Sequence, residues 1–162
     1  MAKDGADFIP LKLEVEHARS YAAIQQARFS DRIQVNFGNL PEGYEGLLVP
    51  RLIIQPLLEN AFGHGLENKV SCGILEVNFK SGEGEIRICV QDNGDEAGDK
   101  DIQKMRESLE KQELDEITGI INIHRRLKIY FQGKTGLCIE RSSLGGVAIT
   151  IVIKTDIEIP VI

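Results

Sequence analysis

Tryptophan is absent from this sequence, and no apolar run approaches the ~20 residues that a membrane span requires. The opening MAKDGADFIP also lacks the basic-then-apolar layout of a secretion signal. A soluble, cytoplasmic domain is therefore expected. Cysteine is sparse: Cys72, Cys89 and Cys138 are odd in number, far apart and set among strand-like apolar residues. That excludes a disulfide framework and predicts reduced core thiols. Basic charge is short as well, with 19 Lys and Arg against 25 Asp and Glu. The whole imbalance sits between Asp92 and Glu116, where ten acidic side chains face four basic ones. Such a segment repels nucleic acid, and no compensating basic, aromatic-interleaved patch occurs elsewhere. With no internal repeat and no low-complexity linker, residues 1–162 read as one domain, long enough to bury roughly two thirds of its unfolded surface.

What the sequence does have is centred on Pro50 to Gly65, PRLIIQPLLENAFGHG. Pro50 suits a first helical turn, and Gly63 and Gly65 mark an end, so about four turns of helix are predicted. Leu52, Ile53, Ile54, Leu57, Leu58, Ala61 and Phe62 predict burial on most sides. Helical spacing then places Pro56, Asn60, Gly63 and His64 on one narrow polar stripe. Polar side chains on a buried helix are costly without partners, so this stripe asks for a ligand or a hydrogen-bond network.

Around this stretch the periodicity predicts a leader helix over 11–30, with Leu13, Ala18, Tyr21, Ile24, Ala27 and Arg28 as its inward side. A strand follows over 31–37, then a hairpin of strands 74–80 and 85–91 across SGEG. The second of these ends in Asp92-Asn93-Gly94, after which no strand follows, so the triplet is not a hairpin turn. A short helix over 101–111 faces inward through Ile102, Met105 and Leu109. Another begins at Thr118, with Ile120, Ile121, Ile123, Leu127 and Tyr130 on its apolar face and Gly119 in its first turn, where small size leaves N–H groups open to an anion. Strands 137–141 and 148–154 close the chain across SSLGG. The expected architecture is α+β, a two-layer α/β sandwich with helices on one face of a mixed, mainly antiparallel sheet.

A polar notch (Asn60, His64), an Asp-Asn-Gly at a strand end (Asp92, Gly94) and a glycine-bearing helix start (Gly119), joined by an acidic segment, describe a pocket with a lid. The order and residues resemble the GHKL (Bergerat-fold) ATP-binding domains of histidine kinases, Hsp90, gyrase B and MutL. More narrowly, LEVEHARSYAAIQQARFSDRI followed by VPRLIIQPLLENAFGHG is similar to the catalytic domain of LytS/YesM-type bacterial sensor histidine kinases. The resemblance implies ATP and Mg²⁺ as ligands, with a mobile lid at about 94–118. Asn60 matches the metal-binding position and Glu59 its helper; Asp92 matches the acceptor of the adenine amino group. His64 would lie near base or sugar, and Gly94, Gly119, Gly145 and Gly146 would let backbone approach ligand or lid. The implied partners are a dimerising segment carrying the phosphoacceptor histidine and, downstream, a response regulator, in a parent kinase held in the cell membrane and dimeric at full length. No PHFLFN-like acceptor motif occurs here, and His17, His64 and His124 are poor substitutes.

Four positions depart from the resemblance. Gly63 stands where the family has a lysine, Glu96 where the Asp-Asn-Gly motif has its next glycine, Ile117 ahead of Gly119 where a first glycine is usual, and Val147 where a threonine follows the glycine turn. Each weakens nucleotide binding. Pro56 occupies the place four before Asn60 where ATP-hydrolysing relatives keep a water-activating glutamate, which disfavours rapid hydrolysis. Two readings stand: a kinase catalytic domain that gives the γ-phosphate of Mg-ATP to a histidine outside this sequence, and a degenerate domain that binds nucleotide weakly or not at all and works as an interaction module.

Overall fold

The computed structural model describes residues 7–95, 97–110, 119–133 and 135–155. Its main sheet has five strands: β2 (Ile33–Phe37), β4 (Gly73–Gly82), β5 (Glu85–Asp92), β6 (Gly136–Arg141) and β7 (Val147–Lys154). They lie in the order β2-β4-β5-β7-β6, antiparallel except for the parallel pair β2 and β4. All five follow from period-2 alternation. Leu75, Val77, Ile86, Ile88, Val90, Ile149, Ile151 and Ile153 are buried toward the helices, whereas Asn78 and Arg87 on the other face are exposed.

The helices cover one face. α1 (Leu11–Phe29) buries Leu11, Val15, Ala18, Ala22 and Phe29, and Phe29 stacks on Phe62 at a centroid distance of 5.7 Å. This corrects the expected apolar side, because Leu13 and Ile24 are 42% and 64% exposed and Ala27 is also exposed. The buried set is offset from the expected one and takes in the carboxylate of Glu14. α3 (Asp99–Glu110) and α4 (Gly119–Tyr130) occupy the predicted places, with Ile102 and Leu109, and Ile120, Ile121, Ile123 and Leu127, turned inward. Thr118, Glu96, Ile117 and the later part of the expected lid, 111–118, lie outside the described residues. Cys89 and Cys138 are half-buried, but Cys72 is exposed with φ of 58°, so it is no core thiol.

The central helix is shorter than its sequence suggested. Pro50 ends a strand, β3 (Leu48–Pro50), paired antiparallel with β1 (Phe8–Pro10), where its missing N–H costs little at a short edge. Helix α2 (Gln55–Asn60) starts one proline later, with Pro56 in its first turn. It then widens into a π-turn over Ala61–Gly65, in which Leu66 N–H donates to the Ala61 carbonyl five residues back at 2.9 Å.

One buried histidine sets a pH dependence. His124 on α4 accepts the Leu137 N–H at Nδ1 over 3.0 Å, and burial, helped by Lys128 and opposed by Glu110, pushes its pKa below the ordinary value. The folded state thus holds this proton more weakly than the unfolded chain does. His124 contributes its full stability above the unfolded value of about 6.5 and loses it as the pH falls below that. The melting midpoint should drop on acidification through this range, and His124→Asn should flatten that part of the profile in a pH series of thermal melts.

Candidate functional site

A hollow of about 610 Å³ lies between α2, the end of β5, α3 and the start of α4. Its walls include Glu59, Asn60 and His64 from the α2 stretch, Asp92 from β5, Gly119 from α4 and Val147 from β7. Five of the six expected site residues therefore share one cavity. Gly94, the sixth, is buried off the wall, its N–H donating to Asp92 Oδ1. The π-turn explains why His64 joins Asn60 on the wall while Gly63 does not. A wider turn brings the fourth residue back to the same face and leaves the third short of it, and Gly63 is exposed with no described residue within 4 Å of where a side chain would start.

Asp92 is the best-defined group. It ends the central strand, is 3% exposed, and its Oδ1 accepts the N–H of Gly94 at 2.8 Å and of Val147 at 3.5 Å. Burial raises its pKa above the usual carboxylate value, and those two N–H donors pull the other way. Three glycines fit around it. A Cβ on Gly65 would stand 2.6 Å from Oδ2 and one on Gly146 2.1 Å from Oδ1, while one on Gly94 would strike the Gly65 carbonyl oxygen at 2.1 Å. Next to Gly146, Gly145 has φ of 116°, and the Gly146 N–H closes on the Asp92 carbonyl at 3.0 Å. Asn93 serves the fold: its side chain accepts from Ile74 N–H and donates to the Cys72 carbonyl, both at 2.8 Å.

The walls carry the carboxylates of Glu59, Asp92 and Asp101 and, among the described residues, no lysine or arginine. Glu59 accepts from Gln55 at 3.1 Å. Among the described residues, only Pro56 lies near Gly119, 3.5 Å from where a Cβ would sit, which is an ordinary contact. At the outer rim, Arg141 donates to the carbonyls of Ala97 and Gly145 at 2.8 and 3.0 Å and to Asp99 at 2.7 Å. The root of α3 is thereby tied to the glycine turn.

The sequence and the fold have counterparts among known proteins. The chain is 31% identical over 138 residues to the sensor histidine kinase/phosphatase LytS of Staphylococcus aureus (strain MRSA252), covering 85% of this chain and 24% of that protein. It is 30% identical over 149 residues to the sensor protein LytS of Bacillus cereus, covering 92% and 25%. This chain is a LytS-type histidine-kinase homologue. It spans about a quarter of the length of those relatives. No family model matches it. Among solved structures, the ATP-binding domain of PrrB from Mycobacterium tuberculosis superposes with a TM-score of 0.60 at 16% identity, covering 91% of this chain and 96% of that one. The catalytic domain of histidine kinase ThkA gives 0.60 at 14% identity, covering 91% and 95%. The LytS-type chain thus has the fold of histidine-kinase ATP-binding domains.

The expected site of this LytS-type domain omitted Gly65, Asp101, Met105 and Ile139, all of which line the hollow. Gly65 was read only as a helix end. Its neighbourhood with Asp92 is a long-range contact that local pattern does not encode. Among the described residues no helix is long and apolar enough to cross a membrane.

Proposed function

We propose that this domain binds Mg-ATP in the hollow and serves as the catalytic part of a sensor histidine kinase. In this reading its γ-phosphate goes to a histidine on a dimerising segment outside this sequence, and a response regulator takes it onward. The observation that carries the reading is the cradle at Asp92. A buried carboxylate whose Oδ1 takes two backbone N–H groups, with glycine on three sides, is built to offer an acceptor to an amino group. Adenine has an amino group where guanine has a carbonyl, which supplies base selection. Asn60, half-buried on the wall, would hold Mg²⁺ through its side-chain carbonyl, with Glu59 as helper and His64 toward the base or sugar. A hard cation that keeps most of its oxygen ligands from water and phosphate fits a site where, among the described residues, no three His, Cys, Asp or Glu side chains gather. Such an ion neutralises charge on the triphosphate. With three acidic side chains and, among the described residues, no lysine or arginine on the walls, affinity should depend steeply on Mg²⁺.

A second reading, an interaction module with little nucleotide affinity, is favoured by the empty surroundings of Gly63, where the family lysine is missing. Calorimetric titration with ATP, with Mg²⁺ and with EDTA, separates the two. Wild type is expected to saturate below millimolar Mg-ATP, and Asn60→Ala to lose the Mg²⁺-dependent gain. Gly63→Lys, whose Cβ would meet no described residue within 4 Å, should raise Mg-ATP affinity about two- to fivefold, as an exposed ion pair of roughly 0.5–1 kcal/mol provides. No saturation by wild type at millimolar Mg-ATP would leave the module reading.

A further inference from the structure

The loop that leads into α2 is held by a group the nucleotide reading does not use. Glu14, on α1 and 2% exposed, accepts three consecutive backbone N–H groups: Leu52 at 3.0 Å on Oε1, and Ile53 and Ile54 at 2.9 and 3.1 Å on Oε2. The Ile54 carbonyl in turn accepts the first helical bonds of α2, from Leu57 and Leu58. From the opposite side, Arg126 on α4 donates to the carbonyls of Arg51 and Leu52. The loop is thus gripped by α1 at the amides of residues 52–54 and by α4 at the carbonyls of Arg51 and Leu52. Leu52 sits between at φ of 57°, a conformation that a branched side chain keeps only where its surroundings impose it.

A buried carboxylate is expensive unless charge-assisted hydrogen bonds compensate it, and here three such bonds come from the turn that opens the Asn60 helix. We propose that Glu14 is a positioning residue for the nucleotide site: it fixes α2, and with it Asn60, to the leader helix α1, so that displacement of α1 is carried to the metal-holding amide. This rests on the Mg-ATP reading of the hollow. Arg126 is the opposing half of the grip. It references the same loop to α4, whose first residues, Gly119 to Ile121, form another wall of the cavity.

The test is a double-mutant cycle on the 162-residue chain, Glu14→Gln against Asn60→Ala, read by ATP titration with Mg²⁺ and with EDTA. Glu14→Gln keeps the shape but sets an NH₂ where one oxygen accepted. The Mg²⁺-dependent gain in affinity should fall at least fivefold, and the double variant should bind no worse than Asn60→Ala alone. Loss of fold stability alone would weaken both titrations equally. Additive effects, or wild-type Mg²⁺ dependence in a folded Glu14→Gln, overturn the proposal. Should Glu14→Gln fail to fold, Arg126→Gln loosens the same loop from the other side and is held to the same outcomes. Amide hydrogen exchange decides without nucleotide: loss of protection running from 52–54 through Asn60 supports the coupling, and loss confined to 52–54 sinks it. Failure of wild type to bind Mg-ATP would strike the functional reading, while exchange would still judge the link.

Discussion

Asp92→Asn should cost the domain its ATP affinity while its melting midpoint holds or rises. The carboxylate is 3% exposed and its pKa is raised chiefly by burial. The fold therefore disfavours the charged form, and the stability it forgoes grows as the pH rises through the folded pKa. A neutral amide removes that cost. Its oxygen can still accept the Gly94 and Val147 N–H groups that now serve Oδ1. What changes is the other end, where an NH₂ donor would face the donor of adenine. A lost charge-assisted hydrogen bond of about 1.5–3 kcal/mol corresponds to roughly a 10- to 150-fold weaker complex, before any donor-donor repulsion. Calorimetry and thermal melts on one preparation separate the two roles. Undiminished binding would show that adenine is not read here. A midpoint many degrees lower would make Asp92 a structural carboxylate.

Such an opposition between binding and stability belongs to a site that local pattern could only partly reveal. The five strands of the main sheet were legible because each buries alternate residues along its length, as Val147–Lys154 does throughout. β1 and β3 were not, since three residues carry no period, and Pro50 is ambiguous because local rules favour proline at both a first helical turn and a strand edge. The turn that leads into Gln55 is held by Glu14, 38 to 40 positions away from the amides that it binds. A signal was present: Glu14 interrupts the helical series Leu11, Val15, Ala18 and Ala22, and an acidic residue on the inward side of an amphipathic helix must find buried donors. The polar stripe was half legible. Asn60 and His64 reach the same wall, yet Gly63 falls off it because the turn between them is wider than an α-helix, which no propensity encodes.

The glycines around Asp92 yield the largest expected loss of stability. Gly146→Ala places a methyl 2.1 Å from Asp92 Oδ1, 2.6 Å from the Asp92 carbonyl oxygen and 2.7 Å from the Gly94 nitrogen. Two of these three neighbours are backbone atoms of a strand end that cannot swing aside as a flexible side chain does. The bond from Gly146 N–H to the Asp92 carbonyl, 3.0 Å long, must open to admit the methyl. Overpacking of about 1–3 kcal/mol together with a lost buried hydrogen bond of about 1 kcal/mol predicts a midpoint roughly 4–16 °C lower for a chain of this size. Binding should fail even in the folded fraction, because the carboxylate is the group displaced. Gly119→Ala is the control: among the described residues its methyl would meet only Pro56 Cβ, at an ordinary 3.5 Å, so the midpoint should stay within a degree or two of wild type. If that variant nevertheless binds ATP more weakly, the smallness of Gly119 serves the ligand. If Gly146→Ala instead melts with wild type, the close approach of backbone to Asp92 is not what holds its carboxylate at the wall of the hollow.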